Sequence, residues 1–388
     1  MSADPLAVRP LDPRAYALLA EDGFPDGPFD PCQHVACELI ERYATELAAE
    51  LCHREALDAL LATPRTVDEV RGARGWTARI VPALAWVLER LAADGRLARE
   101  GGAYRLERPL ASSASAVRTR GLEVDGSYAP AYELLDEAAA AFAGVARGET
   151  TGEQALLGKL GLWIRYFDNR NTYYALNNRV AARAAADRLT GDARVLEVGA
   201  GLGSATEALL AEVGARGTLS PLAGYRATEP VPFFRRRAER VLTGLYPGVP
   251  LSFGAFDLNR PWEEQDVAPA SLDLVWGVNV FHLACDLDLA LERARTALAP
   301  GGWLVAGEGI RPAPDAVVGA EFPFRLLESF TNVRLGPDRR TPGFLTAEEW
   351  ERAFRRAGLA DVAFVPDVRR LRAYHPGMLA AAVCGRRP

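Results

Sequence analysis

The sequence predicts an α/β protein, in which a doubly wound, mainly parallel sheet forms the second half and a mainly helical region precedes it. Strands and helices alternate from residue 190 onward, and the first of these strands ends in a glycine-rich turn. Before that point the apolar residues recur mostly at helical spacing. We therefore divide the 388 residues into a first domain at 1–110, a linker and helical segment at 111–189, and a sheet domain at 190–388.

The composition of the chain favours a soluble globular protein and argues against a nucleic-acid-binding one. Hydrophobic residues make up 49% and charged residues 25% of the chain, which is typical of a soluble globular protein. The formal net charge of −6 argues against nucleic acid as a partner, because a backbone-binding protein needs a concentrated positive surface. We find neither a secretory leader nor an apolar stretch long enough to span a membrane. Five cysteines, an odd number, fit a reducing compartment, so we expect a cytoplasmic protein without a membrane partner.

Residues 1–106 contain an arm, several helices and a hairpin, in the order typical of a winged helix. The stretch before residue 31 is rich in Pro, Asp and Gly, which predicts an extended arm. The helix that begins at Thr77 is apolar, which favours packing against protein over reading DNA. We therefore expect a dimerisation or substrate-cap module, with a DNA-binding module as the alternative. The predicted elements are helices at 32–51 and 56–61, a capping box at Thr66–Glu69, a helix from Thr77, and a hairpin at Gly101–Gly102.

The stretch between the two domains is predicted to contain a linker and two helices. Residues 107–130 contain Ser, Pro and Gly, which predicts the linker, and helical patterns follow at 129–145 and 151–189. The second pattern interleaves aromatic rings with side-chain amides. Because buried amides need hydrogen-bond partners, this mixture favours a wall of a substrate pocket, although a packed helix interface also fits it. The candidate substrate-binding residues are Tyr166, Asn169, Tyr173, Tyr174 and Asn177.

The glycine-rich turn has the sequence Glu197-Val-Gly-Ala-Gly-Leu-Gly203 and lies between a predicted strand and a predicted helix. Gly199, Gly201 and Gly203 let a cofactor approach the backbone, since a Cβ at these positions would collide with it. The third glycine comes one residue earlier than in the pattern that binds a dinucleotide pyrophosphate. Glu197 would also repel a phosphate, whereas it suits a cationic cofactor. These features favour S-adenosylmethionine, whose sulfonium and amino groups are positive and which has no phosphate.

Two further acidic residues follow the next strands. Glu229 ends the second strand, where a carboxylate can accept hydrogen bonds from both ribose hydroxyls. A helix-capping role is the alternative, because carboxylates also favour helix starts. Phe256 and Asp257 end the third strand, where the ring could stack on an adenine and the carboxylate could accept its amino hydrogens.

With these motifs in order, residues 190–310 resemble the class I S-adenosylmethionine-dependent methyltransferases, whose fold is Rossmann-like. The segments that carry this resemblance are the loop EVGAGLG, Glu229, Asp257, the strand LDLVWGVN, and the turn and strand LAPGGWLVAGE. Residues 151–359 are similar to the C-methyltransferase domains of polyketide synthases, through Asn279-Val-Phe-His282, Glu308 and Phe344-Leu-Thr-Ala-Glu-Glu-Trp350. Residues 1–150 resemble the winged-helix dimerisation domain of small-molecule O-methyltransferases, which implies a homodimer.

The resemblance implies roles for residues at the strand ends. In the synthase domains a His and a Glu form a catalytic dyad, so His282 and Glu308 take those positions here, and Asn279 falls on the cofactor side. A neutral imidazole accepts a proton and a carboxylate orients it, which suits proton removal from a methyl acceptor. A structural histidine is the alternative for His282.

We therefore expect a natural-product methyltransferase that acts on a small-molecule or carrier-bound acyl intermediate, with carbon as the methyl acceptor. A hydroxyl or carboxyl acceptor would use the same dyad, so O-methylation stays an alternative, and a ligand-sensing transcriptional regulator is a third hypothesis. Cys32, His34 and Cys37 could be drawn as zinc ligands. They fall along one predicted helix without the spacing of a zinc knuckle, so we expect no metal.

Overall fold

The computed structural model describes residues 6–24, 29–216, 222–337 and 339–388. The chain forms two compact units, each assembled from separate stretches of sequence. The boundaries predicted at residues 110 and 189 do not coincide with these units, because segments far apart in the sequence share one core. Unit 1 consists of Met1–Pro10, Asp30–Tyr166 and Asp315–Asn332, and unit 2 consists of Leu11–Phe29, Phe167–Pro314 and Val333–Pro388.

The helices and strands of the described residues have the following bounds. The helices are α1 Pro13–Glu21, α2 Pro31–Arg54, α3 Leu57–Leu60, α4 Val67–Ala73, α5 Val81–Ala93, α6 Ala114–Val124, α7 Ala129–Arg147, α8 Leu160–Phe167, α9 Thr172–Ala186, α10 Ser204–Ala215, α11 Pro232–Leu245, α12 Leu287–Ala297, α13 Glu328–Thr331, α14 Ala347–Arg356 and α15 Val368–Leu371. The strands are β1 Arg65–Thr66, β2 Leu97–Glu100, β3 Ala103–Leu106, β4 Ala193–Val198, β5 Leu222–Thr228, β6 Leu251–Gly254, β7 Leu272–Val278, β8 Leu298–Arg311, β9 Leu345–Thr346, β10 Ala360–Val365 and β11 Ala380–Arg386. None of the helices in the described ranges has both the length and the apolar character of a membrane-spanning segment.

Unit 1 contains the long helix α2 and a small antiparallel sheet in the order β1-β3-β2. Asp30 caps α2 by accepting a hydrogen bond from the backbone N–H of Gln33 at 2.7 Å, and Pro31 occupies the first helical position. Thr66 and Glu69 form the predicted capping box of α4, and the predicted hairpin joins β2 to β3. The winged-helix character of this unit and dimerisation through it stay predictions.

The extended N-terminal arm predicted from the sequence is wrong for the described residues. Its middle part forms α1, and Leu11, Ala15 and Leu19 are buried in the core of unit 2. An apolar stripe of this kind stabilises a short helix by burial, which outweighs the turn-forming residues around it. Residues 1–5 and 25–28 of the arm lie outside the described residues.

The linker predicted at residues 107–130 is also wrong, because it contains helix α6. Ala114, Val117 and Gly121 form the buried face of α6. Such small residues give a weak pattern in the sequence, but they let the helix pack closely against α2. The helix predicted at residues 151–189 is interrupted, since it consists of a π turn at Glu153–Leu157 followed by α8 and α9.

Unit 2 is built on a sheet with the strand order β10-β11-β8-β7-β4-β5-β6. The strands from β8 to β6 are parallel, as the sequence predicts, while β11 runs antiparallel to both β8 and β10. The chain runs outward from β4 to β6 and then returns to β7 on the other side of β4. The carboxyl ends of β4 and β7 therefore flank the switch point at which open parallel sheets bind ligands.

Helix α9 lies very close to this sheet, because both surfaces carry small side chains. Ala181, Ala182 and Ala185 are buried on α9. A Cβ built on Gly307 of β8 would lie 2.4 Å from the Cβ of Ala181, which leaves no room for a side chain. This close approach buries the part of β8 that continues into Glu308.

Gly121 provides a test of how α6 is held. A Cβ there would lie 1.9 Å from the hydroxyl oxygen of Tyr132, whose ring is fully buried and has no space to move aside. We expect Gly121→Ala to lower the free energy of unfolding by about 1–3 kcal/mol through overpacking, as measured by urea denaturation. Gly72, in helix α4, has no described atom within 4 Å of such a Cβ. Gly72→Ala should therefore keep or raise stability, by up to about 1 kcal/mol, and two equally stable variants would contradict the packing.

Candidate active site

The glycine-rich turn after β4 uses its three glycines in different ways. All three have positive φ, at 69° for Gly199, 55° for Gly201 and 85° for Gly203. A Cβ on Gly199 would lie 2.5 Å from Cγ2 of Val280, and one on Gly203 would lie 2.7 Å from Cδ1 of Leu242. A Cβ on Gly201 would meet no described atom within 4 Å. Packing within the protein therefore requires Gly199 and Gly203, while a ligand has room to approach the backbone at Gly201.

Glu229 joins the end of β5 to this turn. Its side chain is almost fully buried, and Oε2 accepts a hydrogen bond from the backbone N–H of Gly201 at 3.1 Å. Oε1 accepts one from the backbone N–H of Val231 at 2.9 Å, the residue that precedes α11. Burial raises the pKa of Glu229, and the two N–H donors oppose that rise. Each carboxylate oxygen has a second lone pair, so hydroxyl groups of a ligand can also donate to it.

The side chain of Glu197, the acidic residue before the turn, is buried and hydrogen-bonded within the protein. Its Oε2 accepts hydrogen bonds from Thr206 Oγ1 and from the Tyr225 hydroxyl, both at 2.5 Å. The Tyr225 hydroxyl in turn accepts a hydrogen bond from Trp276 Nε1 at 3.0 Å. This buried network links β4, α10, β5 and β7, and burial raises the pKa of Glu197 to about 7. The hydrogen bonds to Oε2 and to Tyr225 therefore connect four elements of the sheet domain. The partners of Glu197 could not be predicted from the sequence, because their spacing along the chain does not show that they meet.

Phe256 and Asp257 have different environments, although they are adjacent. Phe256 is only 3% exposed and packs edge-on against Trp262, with the ring centroids 5.1 Å apart. That burial argues against the predicted stacking of Phe256 on an adenine, because a stacking ring needs an accessible face. Asp257 is exposed, and its Oδ1 accepts a hydrogen bond from the backbone N–H of Asn259 at 2.9 Å. The carboxylate of Asp257 can therefore still accept hydrogen bonds from a ligand.

His282 and Glu308 come together at the ends of β7 and β8. After β7, Asn279 takes a left-handed conformation (φ 54°) and leads into the short helical turn Phe281–Leu283. His282 and Glu308 are both buried, and His282 Nδ1 lies 2.6 Å from Glu308 Oε2. The other carboxylate oxygen, Oε1, accepts a hydrogen bond from the backbone N–H of Phe281 at 2.9 Å. Glu308 therefore holds both the imidazole ring and the turn that carries it.

This arrangement fixes which nitrogen of the imidazole can react. A carboxylate only accepts hydrogen bonds, so the proton between the two groups belongs to Nδ1, and the lone pair of the neutral ring is on Nε2. Phe344 packs edge-on against the His282 ring, with the centroids 5.1 Å apart. Nε2 can accept a proton from an acceptor molecule, and Glu308 can then stabilise the imidazolium. The pair has the geometry of an oriented general base.

The residues predicted to bind substrate are divided between the two units. Tyr166 belongs to unit 1, where its ring packs edge-on against Trp163 at a centroid distance of 5.9 Å. Asn169, Tyr173, Tyr174 and Asn177 belong to unit 2. Tyr173 and Asn177 are half-buried on α9.

Two of these residues contact loops at the carboxyl edge of the sheet. Tyr174 hydrogen-bonds with the side chain of Asn279, and burial raises the pKa of the Tyr174 hydroxyl. Asn169 Nδ2 donates to the backbone carbonyl of Ser204 at 2.8 Å, directly after the glycine-rich turn, and Asn169 Oδ1 accepts from Asn178 Nδ2 at 2.9 Å. The Ser204 carbonyl thereby fixes which end of each amide is the oxygen. Asn178 Oδ1 is left as a buried acceptor for which the described residues supply no donor.

The residues that could be drawn as zinc ligands have other contacts. Cys32 is exposed, His34 Nε2 lies 3.0 Å from the backbone carbonyl oxygen of Arg9, and Cys37 Sγ lies 3.3 Å from the Tyr128 hydroxyl. In the described part of the chain, no group of three or more His, Cys, Asp or Glu side chains could hold a metal ion. The zinc alternative therefore has no support from the structure.

Comparison with known proteins relates this geometry to a family. Residues 196–304 match a protein family described as a methyltransferase domain. The polyketide synthase ThaG of Burkholderia thailandensis is 34% identical over 189 residues, which is 48% of this chain but 3% of the synthase. The chain thus spans a small part of the curated relatives that it matches.

Solved structures that share the fold include two carbon methyltransferases. The CurJ carbon methyltransferase aligns with a TM-score of 0.76 at 18% identity, and the alignment covers 97% of this chain and 96% of that one. The DszA carbon methyltransferase aligns with a TM-score of 0.72 at 20% identity, covering 98% and 97%. Identities this low show a shared fold, and on that basis the predicted α/β, Rossmann-like fold class is confirmed.

The burial of Glu197 predicts a pH dependence of stability. The folded-state pKa of about 7 lies above the value of about 4.3 for an exposed Glu, so protonation favours the folded state. That stability is fully present below about pH 4.3 and is lost as the pH rises through about 7. Because Glu197→Gln imitates the protonated group, we expect the wild type to lose stability relative to this variant between about pH 5 and about pH 8, in urea denaturation.

The matched control for this experiment is Glu239→Gln, which changes an exposed carboxyl on α11. It should follow the pH dependence of the wild type. If the difference between the wild type and Glu197→Gln is the same at both pH values, the burial of an ionisable Glu197 is not what controls stability here.

Proposed function

We propose that this class I methyltransferase, which uses S-adenosylmethionine, methylates a carbon atom of an activated acyl substrate, with His282 and Glu308 as its general base. The observation that carries the proposal is the buried pair, in which His282 Nδ1 lies 2.6 Å from Glu308 Oε2 at the carboxyl ends of β7 and β8. The turn that carries His282 follows Val280, which packs against Gly199 of the glycine-rich turn. The family match of residues 196–304 and the fold shared with carbon methyltransferases support the enzyme class.

The residues around the glycine-rich turn fit S-adenosylmethionine. Gly201 leaves room at the backbone, and the Glu229 carboxylate beside it can accept hydrogen bonds from ribose hydroxyls. Asp257 is exposed and can accept a hydrogen bond from the adenine amino group. Asn178 Oδ1, which receives no hydrogen bond from the described residues, can accept one from the positively charged amino group of the cofactor. When bound, S-adenosylmethionine supplies a methyl group activated by its positive sulfur.

The chain's own part in the reaction is the proton transfer. In an acyl substrate with two carbonyl groups around one carbon, the hydrogens on that carbon are acidic. Nε2 of His282 takes one of these protons, and the electron pair of the broken C–H bond stays on the substrate as an enolate. Glu308 stabilises the imidazolium through Nδ1, and because it is buried and hydrogen-bonded to Phe281, it holds the ring in place during the transfer.

Carbon is the acceptor that the comparisons favour. The relatives include the polyketide synthase ThaG, and the two structures with TM-scores of 0.76 and 0.72 are carbon methyltransferases. We therefore infer that the substrate is a β-dicarbonyl acyl intermediate of natural-product biosynthesis, either free or attached to a carrier. The O-methyltransferase alternative remains an outcome of the test below, because a base of this geometry can also deprotonate a hydroxyl.

Gly199 and Gly201 lie in different environments, so substitutions at the two positions distinguish an effect on cofactor binding from an effect on stability. We expect Gly201→Ala to lower the affinity for S-adenosylmethionine at least about tenfold in calorimetry, because the added methyl group takes the space at the backbone. Gly199→Ala carries the same positive-φ strain but also collides with Val280, so it should be the less stable variant in thermal unfolding. Unchanged cofactor affinity in Gly201→Ala would remove the turn from the proposed cofactor site.

The general base is tested with a β-ketoacyl thioester of N-acetylcysteamine as the acceptor. We expect the wild type to add a methyl group to the carbon between the carbonyls, identified by NMR of the product. His282→Ala and Glu308→Gln should keep their affinity for S-adenosylmethionine and slow methyl transfer by roughly 10²–10⁴. His53→Ala, which changes an exposed histidine of unit 1, is the control and should leave the rate unchanged. A product methylated on oxygen, or full activity in His282→Ala, would contradict the proposal.

A further inference from the structure

Arg339 is a cation buried beside the turn that carries His282, and no motif in the sequence points to it. Its exposed fraction is 6%, and transfer of a guanidinium out of water is costly unless its donors are matched by acceptors. Burial lowers the pKa of Arg339 to about 10, which still leaves the group charged at neutral pH. A buried charge of this kind needs a structural or chemical reason.

The two acceptors of the guanidinium are both backbone carbonyls of the segment that carries His282. Arg339 Nη1 donates to the carbonyl of Ala284 at 2.9 Å, and Nη2 donates to the carbonyl of His282 itself. Nε has no hydrogen-bond partner among the described residues. Nη1 and Nη2 of Arg339 therefore bind the carbonyl groups of this turn.

Glu308 holds the opposite, amide side of the same turn. Its Oε1 accepts hydrogen bonds from the backbone N–H groups of Phe281 at 2.9 Å and of His282 at 3.4 Å. Its Oε2 is the partner of the imidazole Nδ1. The turn is thus held between a buried carboxylate at its N–H groups and a buried guanidinium at its carbonyls, and short turns of this type have weak internal hydrogen bonds.

We propose that Arg339 is a positioning residue for the general base: it fixes the turn that presents His282 to Glu308 and places a positive charge beside the pair. The inference rests on the proposed function of the pair. It adds a third buried group that acts on the reaction only through His282 and Glu308.

Arg339 also places a positive charge beside the pair, and this charge and that of Glu308 attract each other. A neighbouring positive charge disfavours the protonated, positive imidazole, so its removal favours proton uptake at higher pH. Among the described residues, the other titratable or charged groups around this arrangement include Tyr174 on α9, which acts on Glu308, and Glu349 on α14, Cys285 and Asp286, which act on Arg339. The variants below leave all of these groups unchanged.

The first experiment titrates His282 by NMR in the full chain, which has only four histidines, so that its ring signal is assigned by comparison with His282→Ala. We expect the His282 ring signal to titrate at higher pH in Arg339→Met than in the wild type, because the positive charge beside the pair is removed. Arg339→Lys keeps the charge and should leave the midpoint near that of the wild type. This readout needs no acceptor, and a loss of packing alone would not be repaired by lysine.

The second experiment measures methyl transfer to the β-ketoacyl thioester. We expect Arg339→Met to lower kcat by about tenfold to a hundredfold through misplacement of the base, while the affinity for S-adenosylmethionine stays unchanged. Arg339→Lys should recover part of the loss, and the acidic limb of the pH–rate profile should shift upward only in Arg339→Met. Arg355→Met is the matched control, because Arg355 is an exposed arginine of the same unit that pairs with Glu351 at 2.6 Å.

The outcomes separate this inference from the proposed function. If Arg339→Met titrates and reacts like the wild type while His282→Ala is inactive, the positioning role is wrong and the general base stands. If His282→Ala is fully active, the general base is wrong whatever Arg339 does. If Arg339→Met does not fold, a partial loss of kcat in Arg339→Lys with unchanged affinity for S-adenosylmethionine supports the role, and a wild-type kcat in that variant contradicts it.

Discussion

Carboxyl groups buried at the carboxyl ends of the parallel strands impose the main constraint on unit 2. Glu197, Glu229 and Glu308 are each at most 8% exposed, and a buried carboxylate is unstable unless N–H or O–H groups surround it. Each is matched by donors from other elements, so the positions of turns, strand ends and helix starts at this edge are coupled to one another. The glycine-rich turn, the start of α11 and the turn at Phe281–Leu283 all contribute backbone N–H groups to these carboxylates or lie next to a residue that does.

The type of donor decides what each carboxyl group can do. Glu197 is matched by two hydroxyls, which suit a group whose pKa is raised to about 7, and it joins four elements of the core. Glu229 is matched by two backbone N–H groups beside Gly201, where a ligand has room to approach. Glu308 is matched by backbone N–H groups and an imidazole, which suits proton transfer in the proposed reaction. One residue type at one sheet edge thus supports packing and, in the proposed function, cofactor binding and proton transfer.

Features that follow from hydrophobic periodicity and topology can be predicted from the sequence. The alternation after residue 190 predicts the parallel strands, and the order of the strands then implies that Glu229, His282 and Glu308 lie at one edge. Contacts that depend on packing are not accessible in this way. Helix α6 has too weak an amphipathic pattern, and the two partners of Glu197 lie on two other elements with no characteristic spacing. Phe256 shows the limit most clearly, because the sequence places it at the correct strand end but does not show that Trp262 covers its ring.

The sequence by itself determined the fold class, the glycine-rich turn and the identity of the residues at the strand ends, because hydrophobic period and strand-end position are local properties of the chain. Only the tertiary structure decided which of those residues face a ligand and which face the core. Three glycines look equivalent in the sequence, yet only Gly201 has open space in front of it, and three buried glutamates differ only in the donors that surround them. Those differences arise from contacts between segments distant in the chain, which no local pattern records.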